Sequence, residues 1–222
     1  MRVAVVQFPG SNCDRDTVHV LNDTLRINTD LVWHNDFNDR SYDAVILPGG
    51  FSFGDHLRAG VIAAHSPAVE AIRTIADDGK PVLGICNGFQ ILVEAGLLPG
   101  VLLRNSSLKF VCKWTSLELR NNRSAFSCAF RNESTIRMPI AHNEGRFFAD
   151  DAVLDSLMAD GRVVMTYTDE NPTGTSRGIV AISNEVGNVV GMMPHPERAS
   201  DSALGGTDGL KVFESMVEWA KC

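Results

Sequence analysis

A cysteine flanked by glycines is the residue of this sequence best suited to covalent chemistry. Cys86 stands in Gly84-Ile85-Cys86-Asn87-Gly88, between an apolar run at 81–85 and a helix-compatible run at 89–95. A strand, a sharp turn and a helix form the context in which such a motif raises a nucleophile above the end of a strand. The helix N-terminus also favours the thiolate over the thiol. The five residues alone leave open a buried cysteine at an ordinary strand–helix turn.

A histidine and a glutamate late in the chain are suitable partners for such a cysteine. His195, Pro196 and Glu197 follow the strand-like run at 188–193. In an extended segment His195 and Glu197 project to the same side, and Pro196 favours that geometry. A carboxylate there can orient the imidazole and stabilise its cation. The pattern therefore predicts a Cys86–His195–Glu197 triad, although the short motif by itself also fits a surface turn.

A pair of glycines follows another predicted strand. Pro48, Gly49 and Gly50 end the run at 43–48, and ligands bind at the carboxyl ends of strands in parallel sheets. Adjacent glycines let backbone N–H groups face a ligand, as an oxyanion hole requires; a tight turn without a ligand is the alternative. The histidines, cysteines and carboxylates form no set with metal-ligand spacing, so no metal site is predicted.

The elements that must position these residues alternate between strand and helix. This alternation predicts an α/β fold with a doubly wound, mostly parallel sheet and flanking helices, plus a small antiparallel region that begins at 109–119. His142, Glu144 and Arg146 recur at period two, which fits either a charged interaction surface or a solvated strand face. One domain over 1–222 is the simpler interpretation. Other strands are predicted at 2–8, 29–34, 162–167 and 178–183, and helices after Asp14 and Ser66 and at 56–65, 150–159 and 207–220.

Composition and charge exclude several classes of function. With 222 residues, 44% of them hydrophobic and 21% charged, the chain suits a soluble globular protein. A net charge of −7 argues against a nucleic-acid partner. The sequence contains neither a signal peptide nor a run long enough to span a membrane, so we expect a cytoplasmic protein with reduced cysteines.

These motifs together resemble the class I glutamine amidotransferases. The elbow with Gln90, the Pro48-Gly49-Gly50 loop and the late Pro-His-Pro-Glu carry that resemblance. Longer strings narrow it to the glutaminase subunits of phosphoribosylformylglycinamidine synthases, and the resemblance covers essentially the whole chain. Those strings lie at 8–14, 48–55, 110–114, 141–146 and 191–199.

The resemblance implies an enzyme of purine biosynthesis. Such a subunit hydrolyses L-glutamine to glutamate and passes ammonia to a separate synthetase subunit, which uses ATP and Mg to convert formylglycinamide ribonucleotide to the amidine. A small third subunit completes the complex, and this chain itself would carry no cofactor.

The residues then take specific roles in the implied reaction. Cys86 attacks the amide carbon of glutamine, and backbone N–H groups of Gly50 and Asn87 stabilise the oxyanion. His195 protonates the departing ammonia and then activates water, while Glu197 holds His195. The resemblance suggests that Gln90 touches the substrate.

Three other interpretations remain at this point. The chain could be a glutaminase that serves a different synthetase, or a non-catalytic interaction subunit with the same fold. It could also be a PfpI-type cysteine hydrolase, but those commonly place a histidine directly after the cysteine, where this chain has Asn87. The charged residues at 142–146 are expected to form part of the contact surface with a partner.

Overall fold

The computed structural model describes residues 1–38, 41–168 and 170–221. Most of its strands belong to one sheet of nine strands, and a separate sheet has two. In chain order the strands are β1 (Arg2–Gln7), β2 (Asn28–Trp33), β3 (Ala44–Leu47), β4 (Val82–Ile85), β5 (Val101–Leu103), β6 (Val111–Leu119), β7 (Thr135–His142), β8 (Arg146–Phe148), β9 (Val163–Tyr167), β10 (Ile179–Ser183) and β11 (Val189–Met192).

The parallel half of the main sheet holds the strands that lead to the candidate site. Its order is β2-β1-β3-β4-β11, and every neighbouring pair is parallel. All residues of β3, β4 and β11 are buried, as expected for strands covered on both faces. Because these strands run the same way, their carboxyl ends share one edge of the sheet.

The antiparallel half continues the same sheet instead of forming a region of its own. Beyond β11 the order is β10-β9-β6-β7, and each of these pairs is antiparallel. The separate small sheet consists of β5 and β8. The predicted fold class is thus confirmed, with the antiparallel strands added to the parallel core.

Helices cover the sheet, and each of the longer ones buries an apolar face. Ser66 and Pro67 begin the third helix, whose Val69, Ile72 and Ile75 are buried. The helices are α1 (Asp14–His19, continued as a π-helix at Val20–Thr24), α2 (Val61–Ala64), α3 (Pro67–Asp77), α4 (Asn87–Glu94), α5 (Asp151–Ala159) and α6 (Leu210–Trp219). Short 3-10 turns lie at Ser52–Asp55, Ser176–Gly178, Pro196–Arg198 and Ser202–Leu204.

Two local predictions differ from the structure. The helix expected at 56–65 is reduced to α2, because Leu57 and Gly60 have positive φ angles that interrupt it. His142, Glu144 and Arg146 do not share one strand, since β7 ends at His142 and β8 begins at Arg146. Their period of two therefore does not direct them toward one surface. None of the helices in the described part of the chain is long and apolar enough to cross a membrane.

Candidate active site

The turn between β4 and α4 presents Cys86 in a strained conformation. Its φ and ψ are 49° and −100°, an unfavourable region for a residue with a side chain, at a cost of about 1–3 kcal/mol. The backbone N–H of Cys86 donates to the carbonyl of Met192 at 2.7 Å, which fixes the turn to β11. Gly88 is required because a Cβ there would lie 2.1 Å from the carbonyl oxygen of Leu47. The predicted elbow is therefore present.

The histidine and the glutamate form a buried hydrogen-bonded pair. Nδ1 of His195 lies 2.6 Å from Oε1 of Glu197, and both residues are 2% exposed. His195 is extended as predicted, but Glu197 lies in the turn Pro196–Arg198, so the expected fully extended segment is wrong while the contact still forms. The N–H of His195 also donates to the carbonyl of Pro139 at 2.8 Å, which anchors the pair to β7.

The electrostatic surroundings of His195 favour its protonated form. Burial opposes the charge, but Glu197, followed by the sulfur of Cys86, outweighs burial and holds the pKa of His195 well above its usual 6.5. With Nδ1 assigned as the donor to Glu197, Nε2 is buried and has no partner in the described structure. Nε2 is thus available to exchange a proton with a neighbouring group.

Cys86 lies where two cavities meet. A cavity of about 90 Å³ is lined by Cys86 and His195, so these residues, 109 positions apart in sequence, share one space. A larger cavity of about 250 Å³ is lined by Cys86, Gln90 and residues 141–144, at the end of β7 and just beyond it. Gly50 and Phe51 also line both cavities. The sulfur therefore has the base on one side and room for a small ligand on the other.

The predicted oxyanion residues flank the same sulfur. Gly50 lines both cavities, and Asn87 is the first residue of α4, directly after Cys86. Gly50 has φ 153°, and a Cβ there would lie 2.7 Å from the carbonyl oxygen of Gly10, so only glycine fits. Among the hydrogen bonds of the described residues, none has the N–H of Gly50 as donor. Their role as oxyanion donors stays a prediction.

Gln90 is in the cavity wall, but its amide has partners within the protein. Its Nε2 donates to the carbonyl of Glu144 at 2.5 Å, and its Oε1 accepts from Nδ2 of Asn87 at 2.9 Å. Oδ1 of Asn87 in turn accepts from the N–H of Ser52 at 3.1 Å. Gln90 thus ties the loops around the cavity to the elbow, which sequence reasoning had not anticipated.

Cys13 and Arg198 belong to the small cavity and were not predicted there. Nη2 of Arg198 donates to Sγ of Cys13 at 3.2 Å, and both residues line the cavity with Cys86. Sγ of Cys13, a nitrogen of His195 and a carboxylate oxygen of Glu197 lie within 4.8 Å of one another, a spacing that a metal ion could bridge. The guanidinium beside Cys13 opposes a cation there. The signal that could have found Cys13 is its position in the loop between β1 and α1, directly before that helix.

His142 is buried, which contradicts its assignment to a contact surface. It is 3% exposed, and its Nδ1 lies 3.2 Å from Oδ1 of Asn105. Burial, together with the positive charge of His195, lowers the pKa of His142 to about 3. His142 is therefore a neutral residue of the larger cavity wall.

Comparison with known proteins agrees with this geometry. A family model for the CobB/CobQ-like glutamine amidotransferase domain matches residues 1–220. The chain belongs to the glutamine amidotransferase family. It is accordingly a glutamine-dependent enzyme.

Solved structures of other amidotransferases resemble this one. A chain of PurLQS from Thermotoga maritima is 46% identical, with a TM-score of 0.89 over 98% of each chain. The glutaminase domain of Trypanosoma brucei CTPS, a structure with bound acivicin, is 15% identical, with a TM-score of 0.65 over 100% of this chain and 94% of that one. Another glutamine amidotransferase from Thermotoga maritima is 17% identical, with a TM-score of 0.62 over 100% and 99%. The last two share the fold of this amidotransferase.

Proposed function

We propose that this chain is the glutaminase subunit of phosphoribosylformylglycinamidine synthase. It hydrolyses L-glutamine and supplies ammonia to an ATP-dependent synthetase subunit, which converts formylglycinamide ribonucleotide to the amidine in purine biosynthesis. The observation that carries the proposal is the position of Cys86, between the His195–Glu197 pair and a cavity of about 250 Å³. The likeness to PurLQS supports the choice of synthetase.

The first chemical step forms a thioester on Cys86. The sulfur attacks the side-chain amide carbon of glutamine in the larger cavity, and the N–H groups of Gly50 and Asn87 stabilise the oxygen as it gains charge. Removing one donor of this kind typically slows a reaction about 10²–10³-fold. His195 gives its proton to the amide nitrogen, so ammonia leaves and the C–N bond breaks.

The second step returns the enzyme to its starting state. His195, now neutral at Nε2, takes a proton from water, and the hydroxide attacks the thioester carbon. The C–S bond breaks, glutamate forms, and the sulfur leaves as thiolate. Glu197 keeps Nδ1 of His195 protonated throughout, which holds one tautomer and stabilises the imidazolium.

Ammonia must reach the partner without meeting bulk water, because protonation would remove its nucleophilicity. We therefore expect a closed path between the subunits and low glutaminase activity by this chain alone. A small third subunit in the complex, a cytoplasmic location, and the restriction of ATP and Mg to the synthetase subunit belong to the same proposal.

The decisive experiment separates glutamine from ammonia as the nitrogen source. Cys86→Ala, assembled with the synthetase subunit, should lose glutamine-dependent amidine formation by about 10⁴-fold or more, while ammonium chloride restores synthesis. Cys112→Ala removes an exposed thiol and serves as the matched control. Glutamine-dependent synthesis by Cys86→Ala at the wild-type rate would refute the proposal.

Two further measurements test the alternative functions, a glutaminase for another synthetase and a cysteine peptidase. Acceptors of other glutamine-dependent synthetases, offered with their own synthetase subunits, should remain unaminated. A glutamine-like chloroketone should label Cys86, and free glutamine but not peptides should protect it. Protection by peptides alone would favour the cysteine hydrolase.

A further inference from the structure

A large cavity borders Glu197, the carboxylate member of the triad. Its volume is about 540 Å³, within the range of about 300–1,000 Å³ in which proteins bind small molecules. Glu197 and Arg198 line it, whereas Cys86 and His195 are absent from its wall among the described residues. We call this space the rear cavity, because it reaches the catalytic pair from the carboxylate end and does not contain the nucleophile.

Two buried polar atoms on the wall of the rear cavity have no hydrogen-bond partner within the described chain. One is Oε2 of Glu197, an acceptor on a side chain that is 0% exposed. The other is Nε of Arg198, a donor. Oε1 of Glu197 is engaged by Nδ1 of His195 at 2.6 Å, and Nε of Arg198 lies 3.9 Å from that oxygen, too far for a hydrogen bond. Because an unpaired buried polar atom is destabilising, a ligand that pairs with both atoms gains affinity.

Elements that border the catalytic pair form much of the remaining wall. Val20 and Thr24 are the first and last residues of the π-helix that continues α1, and π-helical turns are frequent at functional sites. Trp114 of β6 and Pro139 of β7 are paired in the sheet and also line the cavity. The carbonyl of Pro139 accepts the N–H of His195 at 2.8 Å. A ligand in the rear cavity therefore lies beside both groups that hold this histidine.

The charges around the rear cavity favour a neutral ligand. Asp16 and Asp201 line it together with Glu197, so three carboxylates repel an anion. A cation is opposed by Arg198 and by the imidazolium that Glu197 already holds. His19, also on the wall, is engaged by a carboxylate at 2.6 Å. The two unpaired atoms therefore call for an uncharged group that offers a donor beside an acceptor.

We propose that the rear cavity binds a small uncharged ligand with a lactam or carboxamide group, whose N–H donates to Oε2 of Glu197 and whose carbonyl accepts from Nε of Arg198. An amide is the common neutral group with a donor and an acceptor side by side. The apolar body of the ligand would pack against Trp114 and Val20. The binding is independent of the proposed glutaminase function.

The ligand should also act on the reaction, and this effect rests on the proposed glutaminase function. A carboxylate that accepts a second hydrogen bond attracts its first partner less, since neighbouring hydrogen bonds polarise one another. Glu197 would then stabilise the imidazolium of His195 less well. Occupancy of the rear cavity should therefore lower turnover without blocking the entry of glutamine.

A pair of closely related probes tests the two hydrogen bonds. 2-Pyridone carries an N–H beside its carbonyl, and N-methyl-2-pyridone has a methyl group in place of that hydrogen. In a ligand-observed NMR titration of the full chain, 2-pyridone should bind with a Kd of about 1–10 mM, as expected for so small a probe. N-methyl-2-pyridone should bind about tenfold more weakly or worse, because Glu197 loses its donor. Arg198→Met should weaken the binding of 2-pyridone by about tenfold, because the donor to its carbonyl is removed.

Variants at the rim of the rear cavity supply a second test. Thr24→Trp and Leu204→Trp enlarge exposed side chains that line it, and each should weaken the binding of 2-pyridone by about tenfold or more, because the added ring takes up the space. Both should keep glutamine hydrolysis in the complex within about twofold of wild type. Val186→Trp is the matched control, since Val186 is 65% exposed and does not line this cavity. Circular dichroism of each variant checks that the fold is retained.

Kinetics distinguish this site from the substrate cavity. In the complex with the synthetase subunit, saturating 2-pyridone should lower kcat for glutamine by about twofold to fivefold and leave KM unchanged, because the two ligands occupy separate cavities. The same concentration of N-methyl-2-pyridone should leave kcat unchanged. Cys86→Ala, which lacks the nucleophile, should bind 2-pyridone as the wild type does.

Several results would overturn the assignment while the glutaminase function stands. They are no detectable binding of 2-pyridone, equal binding of the two probes, undiminished binding to Thr24→Trp and Leu204→Trp, and displacement of 2-pyridone by L-glutamine. Binding as predicted with an unchanged kcat would overturn the effect on turnover alone. A wild-type complex that does not hydrolyse glutamine would instead refute the proposed function and leave the binding result intact.

Discussion

Two buried cysteines each lie directly before a helix, in the connection from a parallel strand, and have different surroundings. Cys86 follows β4 and precedes α4, and Cys13 follows β1 and precedes α1. Both line the cavity of about 90 Å³ that contains His195. A helix N-terminus and a nearby imidazole are therefore common to both, and neither feature alone distinguishes a nucleophile.

The differences lie in backbone strain and in the partners of each sulfur. Cys13 has φ −101° and ψ 9°, whereas Cys86 has φ 49° and ψ −100°. Sγ of Cys13 is held by Oδ1 of Asn12 and by Arg198, each at 3.2 Å. Among the hydrogen bonds of the described residues, Sγ of Cys86 makes one long contact of 3.8 Å, to the carbonyl of Ala141. Of the two cysteines, Cys86 alone borders the larger cavity. A nucleophile needs a weakly held sulfur and space for its target, and of these two cysteines Cys86 has both.

The most direct way to break this comparison is to replace each sulfur by oxygen. Cys86→Ser should reduce glutaminase activity in the complex by about 10⁴-fold or more, because the hydroxyl is a far weaker nucleophile. Cys13→Ser should stay within about threefold of wild type, since a hydroxyl can keep the contacts of the sulfur and the reaction forms no bond to this residue. The measurement is glutamate release at saturating glutamine. Comparable losses in the two variants would contradict the distinction.

Removal of the carboxylate behind His195 should have the next largest effect. Glu197→Gln should lower kcat/KM by about 10²–10⁴-fold, because the imidazole loses the group that fixes its tautomer and stabilises its charge. Steady-state kinetics with the synthetase subunit measure the loss. Glu185→Gln, which changes an exposed carboxylate, is the control.

The pH profile gives the same variant a second readout. Burial lowers the pKa of His195 and Glu197 raises it, and the net pKa is well above 6.5. The imidazolium of the wild type therefore persists to higher pH than that of an ordinary histidine. Without Glu197 burial dominates, so the pKa falls and the alkaline limb of kcat/KM should move to lower pH. An alkaline limb that stays in place would mean that it does not report His195.

The elbow and the triad were accessible to sequence reasoning because they depend on local motifs and on parallel neighbours. Gly84 to Gly88 fixes the turn around Cys86 from its own composition. His195 follows β11, which pairs in parallel with β4 so that Ile85 lies opposite Met192. Residues that follow the carboxyl ends of adjacent parallel strands meet regardless of their sequence separation.

The rest of the site depends on contacts that no local pattern encodes. Cys13 reaches His195 because β1 lies beside β3 in the strand order, and that order was not predicted. The side-chain amide of Gln90 donates a hydrogen bond to the carbonyl of Glu144, 54 positions away. This contact forms because β7 ends at His142 and the chain then turns beside α4. The period of two at His142, Glu144 and Arg146 was misleading for the same reason, since the chain turns between two strands.

A smaller effect should follow when a methyl group is added at Gly49, next to His195. A Cβ at Gly49 would lie 2.8 Å from Cε1 of His195 and 3.2 Å from Sγ of Cys13. Gly49→Ala should therefore displace the imidazole by a few tenths of an ångström and lower kcat by about tenfold, since small misplacements of catalytic groups are costly. Gly206→Ala, where the nearest atom is 3.3 Å away, is the control. Full activity of Gly49→Ala would show that the pair tolerates this movement.

The smallest effect is expected at Arg198, which belongs to the Cys13 side of the cavity. Its Nε lies 3.9 Å from Oε1 of Glu197, and its side chain is 41% exposed. Water screens an interaction of this length and exposure, so Arg198→Met should lower kcat/KM by about twofold to fivefold and move the alkaline limb only slightly upward, because a cation near the imidazolium is removed. Arg198→Lys should restore the wild-type profile if the charge alone matters. A loss of about 10³-fold or more would place Arg198 among the groups that stabilise the transition state. The surroundings of Cys13 would then contribute to catalysis as well, because Arg198 is the residue that donates to its sulfur.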